Sequence, residues 1–408
     1  MKVAVIGYGS RGTIYADLFA ETVEIAAVCD TRSECLAFAA KKYNLKNNQL
    51  YTSANAFFAK GRLADLCIIA TPDKCHKEHA LAALNLGYDL QLEKPIATSL
   101  VDCIEIYELA KKLGRKVFIC HVLRYAPFFQ QIKSELLTGA YGRISTINMT
   151  ENVAYWHYAH SYVRGNWRNS NTSSPMIIAK CCHDLDILVW LIGRSCDGVS
   201  SMGFLNYFTK ENAPEGSADR CVDCIVKNDC PYDAEKFYLD RMKQGITDWP
   251  TNVLATEPTV EKIDNAIKTG PYGRCVYKCD NNVVDHQVVN MNFNGGITAH
   301  LTMTAFSRWQ FRNIHVHGEK GDIYGNTMDN VLTCNIYGKS EKKIDISQFD
   351  EKGFSHGGGD RRMIIDIINH YNGQLSEGIT SIENSMLSHK IGFAAEQSRL
   401  SKGKLIEL

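Results

Sequence analysis

Three glycines near the start of the chain are the first residues that could do chemistry. Gly7, Gly9 and Gly12 follow an apolar run with G-x-G-x-x-G spacing, and Ser10 and Arg11 lie between them. In a strand–turn–helix unit these glycines permit a tight turn, close approach of a pyrophosphate and close helix packing. The free N–H groups at the helix start also favour phosphate. We therefore predict a dinucleotide-binding loop, the alternative being a glycine-rich turn with no ligand.

An acidic residue extends this pattern. Asp30 ends the second predicted strand, where a carboxylate can bind the adenosine ribose hydroxyls and repel a 2′-phosphate. This favours NAD over NADP. Arg32 leaves NADP as the less favoured alternative, because an arginine there can accept a 2′-phosphate, although it can equally stack on adenine or stay solvated.

Two later strand ends add polar residues. Thr71, Pro72 and His76 follow the third predicted apolar strand, and Glu93 and Lys94 end the fourth. The carboxyl ends of parallel strands face the cofactor crevice, so we predict that all five residues contribute to it.

Alternating strands and helices must position these residues. The first 120 residues contain short apolar runs bounded by turn residues, as buried parallel strands do. The predicted strands are Lys2–Ile6, Val23–Cys29, Leu66–Ala70, Asp89–Glu93 and Lys116–His121. The predicted helices are Arg11–Ala20, Ser33–Tyr43, His76–Leu86 and Leu100–Leu113. This alternation predicts a Rossmann-type α/β fold, a doubly wound parallel sheet, over residues 1–122.

The rest of the chain, residues 123–408, predicts an α+β domain with an open, mostly antiparallel sheet. Its predicted strands are Ile144–Glu151, Val283–Phe293, Ile297–Ala305 and Asn313–His317, and its predicted helices are Phe128–Leu137, Lys180–Leu191 and Asp360–His370. A segment containing prolines and cysteines, about residues 212–277, interrupts this domain as an insert.

Taken in order, these motifs resemble the Gfo/Idh/MocA oxidoreductases. The motifs are the glycine loop with its acid, Ala70-Thr-Pro72, Glu93-Lys-Pro95, and Lys180-Cys-Cys-His183 before an apolar helix. The resemblance covers essentially the whole chain apart from the insert. It implies a Rossmann domain, a second domain whose sheet covers the nicotinamide and mediates oligomer contacts, and oxidation or reduction of a hydroxyl carbon of a sugar or polyol. By motif match it makes Lys94 and His183 the active-site lysine and histidine.

One position departs from that pattern. The aspartate usual four residues before the histidine is replaced by Ala179, with Lys180 beside it. Alcohol oxidation still needs a base, and a histidine titrates near neutrality, while a lysine can stabilise alkoxide charge. We therefore predict His183 as general base and Lys94 as its electrostatic and proton-relay partner. The alternatives are a solvated lysine and a histidine that caps a core helix.

A polar and aromatic stretch between the two halves predicts the substrate contacts. Rings and hydrogen-bonding groups suit a sugar, whose faces stack and whose hydroxyls need partners. The other interpretation is a loop that packs its rings between domains. The candidates are Arg124, Tyr125, His157, His160, Arg164, Trp167, Lys180, His183 and, from a later glycine-rich turn, His356.

The insert carries a second possible chemistry. Cys221, Cys224 and Cys230 have C-x2-C-x5-C spacing, and Cys275 lies near its end. Such clusters suggest thiolate metal binding, with structural zinc favoured over an iron–sulfur cluster; the alternative is free thiols.

Composition limits the partners. The chain has 45 basic and 45 acidic residues and no strong charge block, so it predicts neither a nucleic-acid nor a membrane partner. Fifteen cysteines without an export signal predict a reduced cytoplasmic protein, and the resemblance implies a homo-oligomer, a dimer or tetramer.

Three functions follow from these features. The leading prediction is an NAD-dependent dehydrogenase that acts on a carbohydrate or polyol hydroxyl. The first alternative is a glycoside hydrolase that keeps NAD bound and oxidises the sugar only transiently. The second is a non-catalytic NAD-binding sensor.

Overall fold

The computed structural model describes residues 1–351, 355–374 and 380–408. The first part of the chain forms a six-stranded, wholly parallel sheet flanked by helices, in the order β3-β2-β1-β4-β5-β6. Its strands are β1 (Lys2–Ile6), β2 (Glu24–Cys29), β3 (Leu50–Tyr51), β4 (Leu66–Ile69), β5 (Asp89–Leu92) and β6 (Val117–Ile119). Its helices are α1 (Ser10–Ala20), α2 (Ser33–Tyr43), α3 (Ala54–Phe58), α4 (His76–Asn85) and α5 (Leu100–Leu113). The predicted Rossmann-type fold is confirmed.

Local sequence explains the sharp boundaries of these elements. Helix α5 begins where the hydroxyl of Ser99 accepts the Asp102 N–H at 3.1 Å, and it ends at Gly114, whose φ is +61°. Strand β4 is buried at every position, as a central parallel strand must be.

The second sheet has nine strands in the order β14-β13-β12-β11-β7-β10-β9-β8-β15. Every neighbouring pair is antiparallel except β7 and β10, so the predicted open, mostly antiparallel sheet is confirmed. The strands are β7 (Ile144–Ala154), β8 (Cys196–Phe204), β9 (His286–Phe293), β10 (Ile297–Ser307), β11 (Phe311–Gly318), β12 (Gly321–Asn326), β13 (Val331–Ile336), β14 (Lys342–Asp345) and β15 (Ile406–Glu407). The helices of this part are α6 (Pro127–Leu137), α7 (Tyr155–Tyr158), α8 (Met176–Ala179), α9 (Cys182–Ile192), α10 (Ala234–Lys243), α11 (Val260–Thr269), α12 (Gly359–Tyr371) and α13 (Ile382–Leu400).

Helices α12 and α13 return to the first sheet. Met363, Ile364 and Ile367 of α12 are buried in the same cluster as β1, while Ile382 and Met386 of α13 are buried with β5 and β6. The end of the chain therefore packs against both sheets. The division at residue 122, predicted from local pattern, describes the sheets and not the whole packing.

A buried ion pair joins the segment after β6 to α9. The Arg124 guanidinium donates to both carboxylate oxygens of Asp186, at 2.7 and 2.6 Å, and also to the Asn384 carbonyl at 3.0 Å. Arg124 and Asp186 are almost fully buried. The structure thus places donors of Arg124, a predicted substrate contact, on partners inside the protein.

We expect Arg124→Met to lower the free energy of unfolding by about 3–5 kcal/mol, because it leaves the Asp186 carboxylate buried without its cation. Urea denaturation measures this loss. Arg143→Met is the matched control: Arg143 pairs with Glu319 at 2.6 Å on the surface, so its loss should leave the free energy of unfolding nearly unchanged. Equal losses in the two variants would contradict this description of the Arg124 pair.

Candidate active site

The glycine loop has the shape that the sequence predicts. Gly7 has a φ of +89°, and a Cβ there would lie 2.5 Å from the Ala70 carbonyl oxygen. A Cβ at Gly12 would lie 2.0 Å from the Gly7 carbonyl oxygen. Gly9 differs, because the nearest heavy atom to its Cβ position is the Arg32 Nη2, 3.8 Å away. The protein itself therefore requires Gly7 and Gly12, whereas Gly9 leaves an open cradle that fits a pyrophosphate.

Asp30 lies beside this cradle. One of its carboxylate oxygens accepts the Tyr8 N–H at 2.8 Å, and the other accepts the Arg32 N–H at 2.9 Å. The Arg32 guanidinium then folds back onto the same carboxylate at 3.0 Å, with half of its side chain exposed. Asp30 and Arg32, which were both predicted to lie at the adenosine part of the cofactor, thus form one ion pair.

Arg11 joins the glycine loop to two acidic residues, Glu93 and Asp360. Its guanidinium contacts Glu93 at 3.0 Å at the end of β5, and it also pairs with Asp360 at the start of α12. The Tyr15 hydroxyl donates to Glu93 at 2.6 Å. Although burial alone would raise the pKa of Asp360, the Arg11 cation lowers it to about 2. Arg11 and Glu93 therefore brace the cofactor loop against β5 and α12.

The loop after β4 contains two solvent-accessible predicted residues and one that is buried. Thr71 is half-buried and Pro72 exposed, so both remain available to a ligand. His76 is 1% exposed, and its ring nitrogens lie 2.7 Å from the Pro95 carbonyl oxygen and 2.9 Å from that of Thr71. The cofactor contact predicted for His76 is thus replaced by a structural role, because its polar atoms tie two strand ends together.

Lys94 crosses from the end of β5 to the second sheet's domain. Its ammonium group donates to the Ala179 carbonyl oxygen at 2.9 Å and lies 6.0 Å from the centre of the Trp167 ring. Ala179 stands where the resemblance leads one to expect an aspartate. Its backbone, which needs no particular side chain, anchors the lysine.

His183 lies one helical turn beyond that anchor. Within the described structure its Nδ1 is buried and has no hydrogen-bond partner. Its ring packs edge-on against His121, with centroids 5.7 Å apart. Burial, followed by the nearby Lys94 cation, lowers the pKa of His183 well below the usual range. Burial and the Lys94 cation thus both favour the neutral imidazole over the imidazolium form.

A buried ionic network supports the pocket floor. Lys180 contacts Glu151 at 3.1 Å, and Arg312 contacts both Glu151 at 2.8 Å and Asp184 at 2.6 Å. Burial alone would raise the pKa of Glu151, but Arg312 and Lys180 lower it. Lys180 was predicted as a substrate residue, and this network holds its cation near the site. Sequence reasoning missed Glu151, Asp184 and Arg312 as partners, because they come from separate elements.

Asp73 accepts the hydrogen bonds that position Trp167 beside Lys94. Its carboxylate accepts the Trp167 indole N–H at 3.1 Å and the hydroxyls of Ser173 and Ser174 at 3.1 and 3.2 Å. Asp73 follows the Thr-Pro motif directly, which was the only sequence signal for this role. The predicted residue Trp167 is thereby held beside Lys94.

The remaining candidates divide into two groups. His157 is half-buried, and its Nδ1–H donates to the Gln310 Oε1 at 2.8 Å. Burial and then Lys180 lower its pKa well below the usual range. His356 is near the site and hydrogen bonds to Asp360 at 2.8 Å. These two stay candidate substrate contacts.

Three other predicted substrate contacts, Tyr125, His160 and Arg164, have partners in the protein interior. Tyr125 is 5% exposed and donates to Asp366 at 2.7 Å. His160 and Arg164 are each 3% exposed and are bound by the insert. Their polar groups are used in packing, so the predicted substrate contacts are not supported.

Comparison with known proteins agrees with this geometry. The family model described as "Oxidoreductase family, NAD-binding Rossmann fold" matches residues 1–121. The partner model, "Oxidoreductase family, C-terminal alpha/beta domain", matches residues 133–406. The chain belongs to the Gfo/Idh/MocA family. It is therefore an oxidoreductase with an NAD-binding domain, as predicted.

Individual relatives are distant. YteT of Bacillus subtilis, named as an oxidoreductase, is 24% identical over 366 residues, covering 86% of this chain and 83% of its own length. D-glucoside 3-dehydrogenase of Escherichia coli is 29% identical over 147 residues, covering 35% of this chain and 41% of its own.

Solved structures share the fold. An oxidoreductase from Agrobacterium radiobacter, in complex with NAD+, L-tartaric acid and magnesium, has a TM-score of 0.71 at 16% identity and covers 100% of this chain and 98% of its own. The WlbA dehydrogenase of Chromobacterium violaceum, in complex with NADH and UDP-GlcNAcA, has a TM-score of 0.70 at 16% identity and covers 100% and 96%. None of the helices in the described part of this Gfo/Idh/MocA chain has the length and apolarity needed to cross a bilayer.

We expect Asp30→Asn to shift cofactor preference towards NADP by about tenfold, because it removes the repelling charge and frees Arg32 to meet a 2′-phosphate. The amide oxygen can still accept the Tyr8 N–H, so the loop is kept. Fluorescence titration with NADH and NADPH measures the two dissociation constants. Asp17→Asn, an acid of α1 paired with Lys42, is the control and should leave the ratio unchanged. An unchanged ratio in Asp30→Asn would contradict the predicted role of the carboxylate.

We expect Lys94→Met to raise the pKa of His183, because the variant loses a cation that disfavours the imidazolium form. NMR titration of the ring protons, with His183→Asn to assign the signal, measures this change. The wild-type ring should begin to protonate only below the ordinary histidine pKa of about 6.5, and the variant ring at higher pH. A pKa that falls or stays fixed in Lys94→Met would contradict the coupling.

Proposed function

We propose that this enzyme is an NAD-dependent dehydrogenase that transfers hydride between nicotinamide and a hydroxyl carbon of a sugar or polyol. The observation that carries the proposal is the Lys94 ammonium at the carboxyl end of the parallel sheet, held by the Ala179 carbonyl and near enough to His183 to lower its pKa. Two relatives are named for such substrates, D-glucoside 3-dehydrogenase and inositol 2-dehydrogenase.

The residues fit the cofactor. The open cradle at Gly9, the start of α1 and the Asp30–Arg32 pair would hold NAD, together with Thr71 and Pro72. When bound, NAD supplies the hydride acceptor. Arg11 and Glu93, also predicted at the cofactor, hold the loop in place.

The protein residues then handle the proton. His183 takes the hydroxyl proton at Nε2, because its Nδ1 is sealed in the interior. Lys94 stabilises the negative charge that develops on the substrate oxygen, and the Ala179 carbonyl fixes the ammonium at that point. Where the family's usual aspartate would stand, the backbone carbonyl of Ala179 contacts Lys94.

The pocket walls suit a polyhydroxylated ligand. The Trp167 face, the Lys180 ammonium and the His157 imidazole offer one stacking surface and several polar partners. The sugar or polyol is thus recognised by a mixture of ring stacking and hydrogen bonds.

A homo-oligomer is part of this proposal. The outer face of the nine-stranded sheet presents Met202, Phe204 and Tyr324 to solvent, with exposed fractions of 51%, 58% and 40%. A second copy of the chain that covered this face would bury them.

A substrate screen tests the proposal. We expect NADH absorbance in step with product when the enzyme, NAD and a panel of polyols, sugars and glycosides are mixed. Release of an aglycone without net NADH would show instead a redox-neutral glycosidase. NAD binding with neither product would indicate a sensor.

We expect His183→Asn to lower kcat by about 10²–10⁴-fold with little change in KM, because it removes the base and not the binding surface. Steady-state kinetics on the substrate found by the screen measures both constants. His300→Asn is the matched control, since His300 lies on the outer face of the second sheet and bonds to Asn290 and Thr302. A wild-type kcat in His183→Asn would remove His183 from the mechanism.

A further inference from the structure

The insert between β8 and β9 encloses a small cavity lined by four thiols. Cys221, Cys224, Cys230 and Cys275 all face it, together with Arg164 and Tyr232. The cavity has a volume of about 20 Å³, roughly the space of one ion or one water molecule. Each of the four cysteines is free of a disulfide.

Backbone pairing brings these residues together from two distant segments. An isolated antiparallel bridge joins Arg220 to Arg274, and the Cys275 N–H donates to the Asp219 carbonyl at 2.8 Å. Cys224 and Cys230 each end a single 3₁₀ turn. Backbone pairing therefore places the two cysteine-bearing segments side by side.

A buried cation stands beside the thiols. The Arg164 Nη2 lies 3.4 Å from the Cys221 sulfur and also donates to the Tyr232 carbonyl at 2.7 Å. Its Nε donates to the Arg274 carbonyl at 2.7 Å.

The insert has little apolar core of its own. Its separate buried cluster consists of Cys221, Ala234, Tyr238, Ile263 and Ile267. Small units with so few buried residues are commonly stabilised by a disulfide or a metal. Within the described residues the insert has no disulfide, and besides this cluster it packs on the main core through Tyr232, Cys275 and Tyr277. A metal would add a cross-link between its two segments.

We propose that Cys221, Cys224, Cys230 and Cys275 bind one structural zinc ion. In the described structure the only set of three ligating atoms already within 4.8 Å of one another is His315–His317–Asp322. The four sulfurs are thus wider apart than the roughly 3.8 Å of a tetrahedral site with Zn–S bonds of about 2.3 Å. Zinc binding draws the two segments inward and closes the cavity.

The closed insert would then order one wall of the active site. Arg164 ends the π-helical turn that contains His160, and the His160 ring stacks on Tyr272 of the insert with centroids 4.6 Å apart. Trp249 of the insert packs on His157 at 4.8 Å. Zinc acts on the substrate pocket through this packing and touches no substrate.

Metal analysis of the full-length chain tests the site. The protein is purified with a thiol reductant and without chelator, and its metals are measured by inductively coupled plasma mass spectrometry. We expect about one zinc per chain, lost in Cys221→Ser and in Cys275→Ser. Limited proteolysis of both variants should cut the insert faster, while NADH binding, which belongs to the first sheet, should be retained and so report a folded chain.

Cys279→Ser is the matched control. Cys279 lies four residues after Cys275, but its thiol donates to the Cys275 carbonyl at 3.2 Å and lies outside the cavity lining. This variant should keep its zinc. Wild-type protein without metal, iron with acid-labile sulfide in place of zinc, or loss of zinc from Cys279→Ser equal to that from Cys275→Ser would each overturn the proposal. None of these results depends on the substrate, so the proposed dehydrogenase activity stands or falls separately.

Discussion

The position of one ammonium group between two sheets is the constraint on which the active site depends. Lys94 leaves the carboxyl end of β5 and donates to the Ala179 carbonyl, so a single side chain links the cofactor domain to the start of α9. Its charge then lowers the pKa of His183, which burial has already lowered. The Lys94–Ala179 contact therefore fixes the cation whose charge disfavours the protonated form of His183.

The surrounding structure holds that contact rigid through buried charges. On the cofactor side, Arg11 ties the glycine loop to Glu93, the residue next to Lys94. On the other side, Arg312 and Glu151 support Lys180 beneath the pocket. Each group is paired, as buried charges must be to persist. These pairs give the site a defined geometry before any ligand binds.

Sequence pattern predicted much of the fold because local signals and tertiary structure agree there. Helices α2 and α5 begin and end at the predicted residues: Ser99 caps the start of α5, and both helices end at a left-handed residue, Asn44 and Gly114. The return of α12 and α13 to the first sheet could not be foreseen, because contacts so distant in sequence leave no local pattern. For the same reason Arg124 and Tyr125 resembled pocket residues: their buried partners, Asp186 and Asp366, lie far away in the chain. The glycine loop and Lys94 could be recognised because their roles follow from a strand end alone.

The central claim is that Lys94 and His183 act as one unit. A double-mutant cycle on kcat/KM, with Lys94→Met, His183→Asn and the double variant, measures this most directly. We expect the losses of kcat/KM to be strongly non-additive, with the second substitution adding little to the loss caused by the first. If the fold-losses in kcat/KM of the two single variants multiply in the double variant, Lys94 and His183 act independently and not as one unit.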